Sequence, residues 1–157
     1  MIDSGHEIWM RHALDLARQA EAAGEVPVGC IIVAAGEIIG KGRNSPIERL
    51  DPTAHAEMLA LREGAYALGN YRMEDATMYC TLEPCPMCAG ALVAARVSRI
   101  VFGASDPRAG ACGTLYNLCA DPRLNHELEV KGGIGAAACG DLLSSFFDEK
   151  RTGRATA

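Results

Sequence analysis

The sequence predicts an α/β fold, a three-layer α/β/α sandwich on a mixed five-stranded sheet, and three observations predict it. Short β-branched apolar runs alternate with helix-period segments along the chain. The residues best suited to chemistry sit at strand-to-helix turns, where open α/β sheets collect their ligands. Apolar residues make up 49% of the 157 but aromatics only 5%, so the core is built from Ala, Val, Ile and Leu. That length fits one domain, residues 1–157, with a core of its own.

The elements follow in order. Residues 4–23 read as an amphipathic helix, with Ile8, Trp9, Leu16 and Ala20 near one face, Arg11, Asp15 and Arg18 opposite, and Gly24 past the end. Val26 to Ala34 is an apolar strand interrupted by Pro27 and Gly29, and Ala35-Gly36 turns it into a second strand, Glu37 to Gly42. Asp51-Pro52-Thr53 carries a helix-start signal, continued by Met58, Leu59, Leu61 and Leu68. Thr77 to Thr81 is a strand ending at the turn Leu82-Glu83-Pro84, followed by a helix over 86–95 and a strand from Arg99 to Gly103. Strand, helix, strand in that order implies parallel pairing. Ser105 to Leu118 reads as a loop and a short helix, and Glu127 to Val130 as an edge strand. A closing helix, about residues 137–151, carries Leu142, Leu143, Phe146 and Phe147, with a short tail over 152–157. Adjacent phenylalanines point about 100° apart on a helix, so one belongs to the core and the other is free to face a pocket mouth.

Two short motifs carry chemistry: His55-Ala56-Glu57 and Pro84-Cys85-Pro86-Met87-Cys88. His55, Cys85 and Cys88 offer one nitrogen and two sulfurs, the donor set of Zn²⁺, and three protein ligands leave a fourth tetrahedral position for water. Zinc brings the pKa of such a water to roughly 7. Glu57, two residues from the histidine, stands beside the metal as a proton carrier. The combination is a known signature of nucleobase zinc deaminases. A lone Cys-x-x-Cys is also compatible with a redox pair or a structural zinc knuckle. Those alternatives are weakened because Cys30, Cys80, Cys112, Cys119 and Cys139 are scattered singly. Asn44, in the loop before the zinc segment, suits either a turn or a base-reading amide.

Composition narrows the setting. Seven cysteines without a disulfide-like framework point to a reducing cytoplasm. No apolar window reaches membrane-span length, and the N-terminus, with Asp3, His6 and Glu7, does not resemble a signal peptide. A net charge of −5 gives no general affinity for phosphates, so an RNA substrate would need a local basic surface.

The chain resembles the bacterial tRNA-specific adenosine deaminases of the cytidine-deaminase-like superfamily, from Ile8-Trp9-Met10 to about Arg151. Beyond the zinc motifs, the resemblance is carried by Glu25-Val26-Pro27-Val28-Gly29, Asn44-Ser45-Pro46-Ile47, the Asp51-Pro52-Thr53 lead-in and Thr81-Leu82-Glu83. It continues in Val101-Phe102-Gly103-Ala104, Asn125-His126 and Ser144-Ser145-Phe146-Phe147. It implies a homodimer, one Zn²⁺ per subunit, and deamination of adenosine to inosine at the wobble position of a tRNA anticodon stem-loop. It also implies that Asn44 contacts the base, that backbone amides at Ala56 and Cys85 line the pocket, and that Asp106 lies by the ribose 2′-hydroxyl. Asn125, Phe147 and Arg151 become anticodon-loop contacts by the same resemblance. Asp148-Glu149 depart from the more basic pattern of relatives and leave Lys150, Arg151 and Arg154 as the positive end. The rival readings are a free purine or pyrimidine deaminase, such as guanine deaminase, and a zinc-stabilised RNA-binding protein without catalysis.

Overall fold

A computed structural model describes the backbone of residues 4–156 and the side chains of residues 5–152. Five strands form one sheet in the order β2-β1-β3-β4-β5. They are β1 (Gly29–Ala34), β2 (Glu37–Arg43), β3 (Thr77–Leu82), β4 (Arg99–Ala104) and β5 (Glu129–Lys131). β1 pairs antiparallel with both β2 and β3, whereas β3, β4 and β5 run parallel. The sheet is therefore mixed, as expected.

Strand periodicity builds two half-cores. Cys30 and Ile32, Met78 and Cys80, and Ile100 and Phe102 face one side with α3 (Ala56–Leu68) and α4 (Pro86–Ala94). Ile31 and Val33, Tyr79 and Val101 face the other with α1 (Ser4–Ala22) and α5 (Ala136–Thr156). Alternate residues on a pleated strand point to opposite faces, so each central strand feeds both layers. At Gly42 an added Cβ would stand 2.1 Å from the Ala56 carbonyl oxygen and 2.8 Å from the Ala60 nitrogen. Glycine there lets β2 touch the first turns of α3, the turns that carry the zinc motif.

Direction decides where the site lies. β2, β3 and β4 all run the same way, so Asn44, Glu83-Pro84 and Ser105-Asp106, which follow them, emerge at one edge of the sheet. Because β1 runs the other way, its entry segment from Glu25 to Val28 reaches that same edge.

Several boundaries differ from the sequence reading. β1 starts at Gly29, not Val26, because Val28 N–H turns back onto the Val26 carbonyl. The buried stripe of α1 is Met10, Ala13, Leu14, Ala17 and Ala20, whereas Ile8 is 50% exposed. Asp51-Pro52-Thr53 does not start a helix: Asp51 Oδ1 accepts from the Thr53 N–H and hydroxyl in a local turn. A short helix, α2 (Pro46–Arg49), precedes it, and α3 begins only at Ala56. In place of a short helix within 105–118 there is a bridge between Cys112 and Asn117, then one 3₁₀ turn at Leu118–Ala120. The edge strand is Glu129–Lys131, not Glu127 to Val130. α5 runs on through 152–156, where a tail was expected; Ala157 and Asp3 lie outside the described residues, as does the Arg154 side chain. Among the described residues no helix is long and apolar enough to cross a membrane.

Candidate active site

Two helix starts present the donors. His55 occupies the cap position of α3 in extended conformation and makes no side-chain cap bond, so its imidazole is left for other work. Cys85 holds the same position on α4, with Pro86 in the first turn, and Cys88 follows one turn on. His55 Nδ1 lies 3.6 Å from Cys85 Sγ and 3.5 Å from Cys88 Sγ. Zinc at its usual ~2.3 Å from sulfur and ~2.05 Å from nitrogen, in tetrahedral geometry, sets about 3.5 Å between such ligands. The three ligand atoms lie within 4.8 Å of one another, and among the described residues no fourth donor joins them. A closed structural site would have one.

The electrostatics of the three groups are coupled. A hydrogen bond from Cys88 lowers the Cys85 thiol to about 4, with His55 adding to the effect. The same bond, with burial, drives Cys88 far upward. His55 is raised, first by its bond to Cys85. Glu57, in the first turn of α3, is only 4% exposed. Burial raises its carboxyl from an ordinary 4.5 to about 6, against the pull of its own backbone N–H and of His55. A buried carboxyl beside the ligands and poised near neutrality is suited to taking a proton and giving it back.

The other expected residues divide. Ala56 is buried as the first residue of α3, where backbone N–H groups have no partner inside the helix. Asn44 lines a cavity of about 480 Å³ with Arg108, Phe147, Lys150 and Arg151. Its backbone bonds Val28, and its side-chain amide has no hydrogen bond among the described residues. Asp106 lines an adjoining cavity of about 380 Å³ that shares Val26, Arg108 and Phe147 with the first. Phe146 and Phe147 both line the first cavity, Phe147 at 40% exposed and Phe146 largely covered at 7%. Arg151 pairs with Asp148. Asn125 is not brought to the groove: it accepts from Arg96, beyond the far end of α4 from the cysteines.

Two buried carboxylates were not singled out by sequence reasoning. Glu25 accepts from the backbone N–H groups of Ile47 and Glu48 and so tethers α2 beside Asn44. Glu83 accepts from Asp106, Cys112 and Thr114. The available signal was an acidic residue flanking an apolar run, and for Glu83 its place beside the metal motif. Cys30 and Cys80 face each other across β1 and β3, fully buried, and Cys112 is packed 3.6 Å from Cys119.

Comparison with known proteins agrees with this geometry. The cytidine and deoxycytidylate deaminase zinc-binding region matches residues 3–104. A Haemophilus influenzae protein named tRNA-specific adenosine deaminase is 51% identical over 92% of this chain and 84% of its own. A structure from work on A-to-I editing by tRNA:A34 deaminases at the wobble position superposes with a TM-score of 0.82 at 38% identity, covering 85% of this chain and 97% of that one. A guanine deaminase from Bacillus subtilis gives a TM-score of 0.63 at 39% identity, covering 69% and 70%.

Proposed function

The chain belongs to the cytidine and deoxycytidylate deaminase zinc-binding family, in its tRNA-specific adenosine deaminase branch, and from that premise we propose how its own residues convert adenosine to inosine at a tRNA wobble position. The observation that carries the chemistry is the spacing of His55 Nδ1 from two sulfurs, with buried Glu57 in the adjoining turn. His55, Cys85 and Cys88 would hold the zinc ion, which when bound would supply the Lewis acidity that makes a water easier to deprotonate near neutral pH. Glu57 takes the proton released, delivers it to ring N1 of the adenine, and then carries protons to the departing ammonia as C6 gains oxygen. Asn44 offers its amide to the base, and the N–H groups at the starts of α3 and α4, around Ala56 and Cys85, donate into the pocket. Asp106 reads the ribose 2′-hydroxyl, the group that separates RNA from DNA.

The substrate is an anticodon stem-loop. Arg108 and Lys150 around the groove, with Arg151 beside its partner Asp148, provide the local positive surface that the net charge does not, and Phe147 offers a stacking face. Asn125 enters only as an outlying contact. The enzyme is one cytoplasmic domain, residues 1–157, acting as a homodimer. Support for a second copy is an apolar groove of about 280 Å³ between α3, α4 and the segment after α3, lined by Met58, Leu61, Ala65, Tyr71, Ala91 and Ala94. Ala94→Arg should leave a monomer by light scattering; an unchanged dimer would place the interface elsewhere.

The deciding experiment incubates purified protein with a panel of transcribed tRNAs and with guanine, cytosine and cytidine. Inosine at the wobble position of at least one tRNA is expected, with no ammonia from the small substrates. Ammonia from guanine and none from tRNA would replace this reading with the guanine deaminase one. Binding without inosine would favour a non-catalytic zinc protein.

A further inference from the structure

We propose that Glu83 is a positioning residue for RNA recognition, its buried carboxylate fixing the loop that carries Asp106. The inference rests on the reading of Asp106 as the ribose contact.

Glu83 sits between the end of β3 and the first cysteine, only 2% exposed, with its own N–H bonded to the Ala104 carbonyl at the end of β4. One carboxylate oxygen accepts from the Asp106 N–H at 3.0 Å and from the Thr114 hydroxyl. The other accepts from the Cys112 N–H at 2.9 Å and the Thr114 N–H at 3.1 Å. One side chain therefore ties both ends of the 106–114 loop to the turn that leads into Cys85. Charge-assisted bonds of this kind are the stronger class.

The loop is shaped to match. At Gly110 an added Cβ would lie 2.4 Å from a Glu83 carboxylate oxygen, so no side chain fits between loop and carboxylate. The Gly110 N–H bonds the Asp106 carbonyl, and the Ala111 N–H bonds the Pro84 carbonyl. Asp106 is left with its direction set. Its Oδ1 accepts from the Arg108 and Ala109 N–H groups, and its Oδ2 has no hydrogen-bond partner among the described residues. That oxygen belongs to a residue lining the groove, with Arg108 and Phe147 on the same wall. Nothing in this arrangement touches the reacting base. Glu83 acts through Asp106, on the sugar.

The test compares zinc-loaded wild type, Glu83→Gln, Asp106→Asn and the double variant on an RNA stem-loop and on the same loop with deoxyadenosine at the target. Glutamine keeps the shape but turns an N–H₂ toward donors. Glu83→Gln should hold one zinc per chain, raise KM for RNA by about tenfold, the size of one lost charged hydrogen bond, and move kcat less. Its preference for ribose should fall to that of Asp106→Asn, and the double variant should lose no further preference. Glu83→Asp should recover part of the preference. A fall in kcat with KM and ribose preference unchanged would make Glu83 merely structural and overturn the proposal. So would losses that multiply in the double variant, or an Asp106→Asn variant with full ribose preference. If Glu83→Gln does not fold, Thr114→Ala removes a single donor: a smaller shift in the same direction supports the proposal and none refutes it. Dissociation constants for both loops are measured alongside. Wild type that binds RNA but forms no inosine would sink the functional reading, while the ribose-to-deoxyribose ratio of constants still scores Glu83.

Discussion

Two glutamates in this protein are buried almost equally, and their surroundings push them in opposite directions. Glu57 at the start of α3 is 4% exposed and Glu83 at the end of β3 is 2% exposed. Burial dominates at Glu57 and raises its carboxyl to about 6. At Glu83 burial acts in the same sense but is outweighed by the bonds from Thr114, Asp106 and Cys112, so the carboxyl is lowered. Depth alone therefore does not set the role of a carboxylate; the supply of donors does. With few donors the group can exchange its proton, and with four it is locked as an anion and becomes scaffold.

The largest effect that would break this contrast is on turnover. Glu57→Gln should lower kcat by about 10³-fold or more, in line with loss of a general acid–base group, with zinc content unchanged by elemental analysis. Near-normal kcat would remove Glu57 from the chemistry. Stripping the metal with a chelator should abolish inosine formation and lower stability, by about 4 kcal/mol relative to protein at free zinc a thousand times its Kd. Urea titrations with and without zinc measure this, and activity should return when zinc is restored.

Glu83→Gln should cost about 3 kcal/mol at pH 7, the scale of a broken buried network. Glu83 is depressed below its ordinary 4.5, so its stabilisation is present above that value and is lost as pH falls through the lower folded value. The wild-type advantage over the variant should shrink in acid. The smallest effect sharpens the other side. In metal-free protein Glu57 is raised from 4.5 to about 6, a displacement of roughly 2 kcal/mol. The folded state is penalised above pH 6 and not below 4.5, so metal-free Glu57→Gln should be more stable than metal-free wild type at pH 8, with the gain gone below about 4.5. A gain that persists in acid would mean that burial of the carboxylate is not its cause.

The sequence made one of these glutamates legible and hid the other. Glu57 lies two positions from a metal ligand, so spacing alone exposed it. Glu83 gains its role from amides at 106, 112 and 114, and bonds that distant in sequence leave no periodic trace. The strands were readable because β-branched runs fill both half-cores, and the zinc triad because its donors come in two compact motifs. Where local signals compete, composition and fold part company. Asp51-Pro52-Thr53 has the composition of a helix start, but Asp51 spends its oxygen on Thr53, and the helix waits for Ala56. In α1 the buried stripe runs through Ala13, Ala17 and Ala20 beside Met10 and Leu14, and not through Ile8, because β1 packs close: at Gly29 an added Cβ would lie 2.0 Å from the Ala13 carbonyl oxygen. Asn125 is placed at the RNA by resemblance alone, and within the fold its partner is Arg96.

The antiparallel course of β1 has a practical corollary. The turn that links it to β2, Ala35-Gly36, is solvent-exposed at the rim opposite the catalytic one, and a Cβ on Gly36 would meet nothing within 4 Å. A foreign peptide spliced there would ride on the enzyme the full length of a strand away from the chemistry, which makes that turn the natural graft point for fusions meant to leave editing intact.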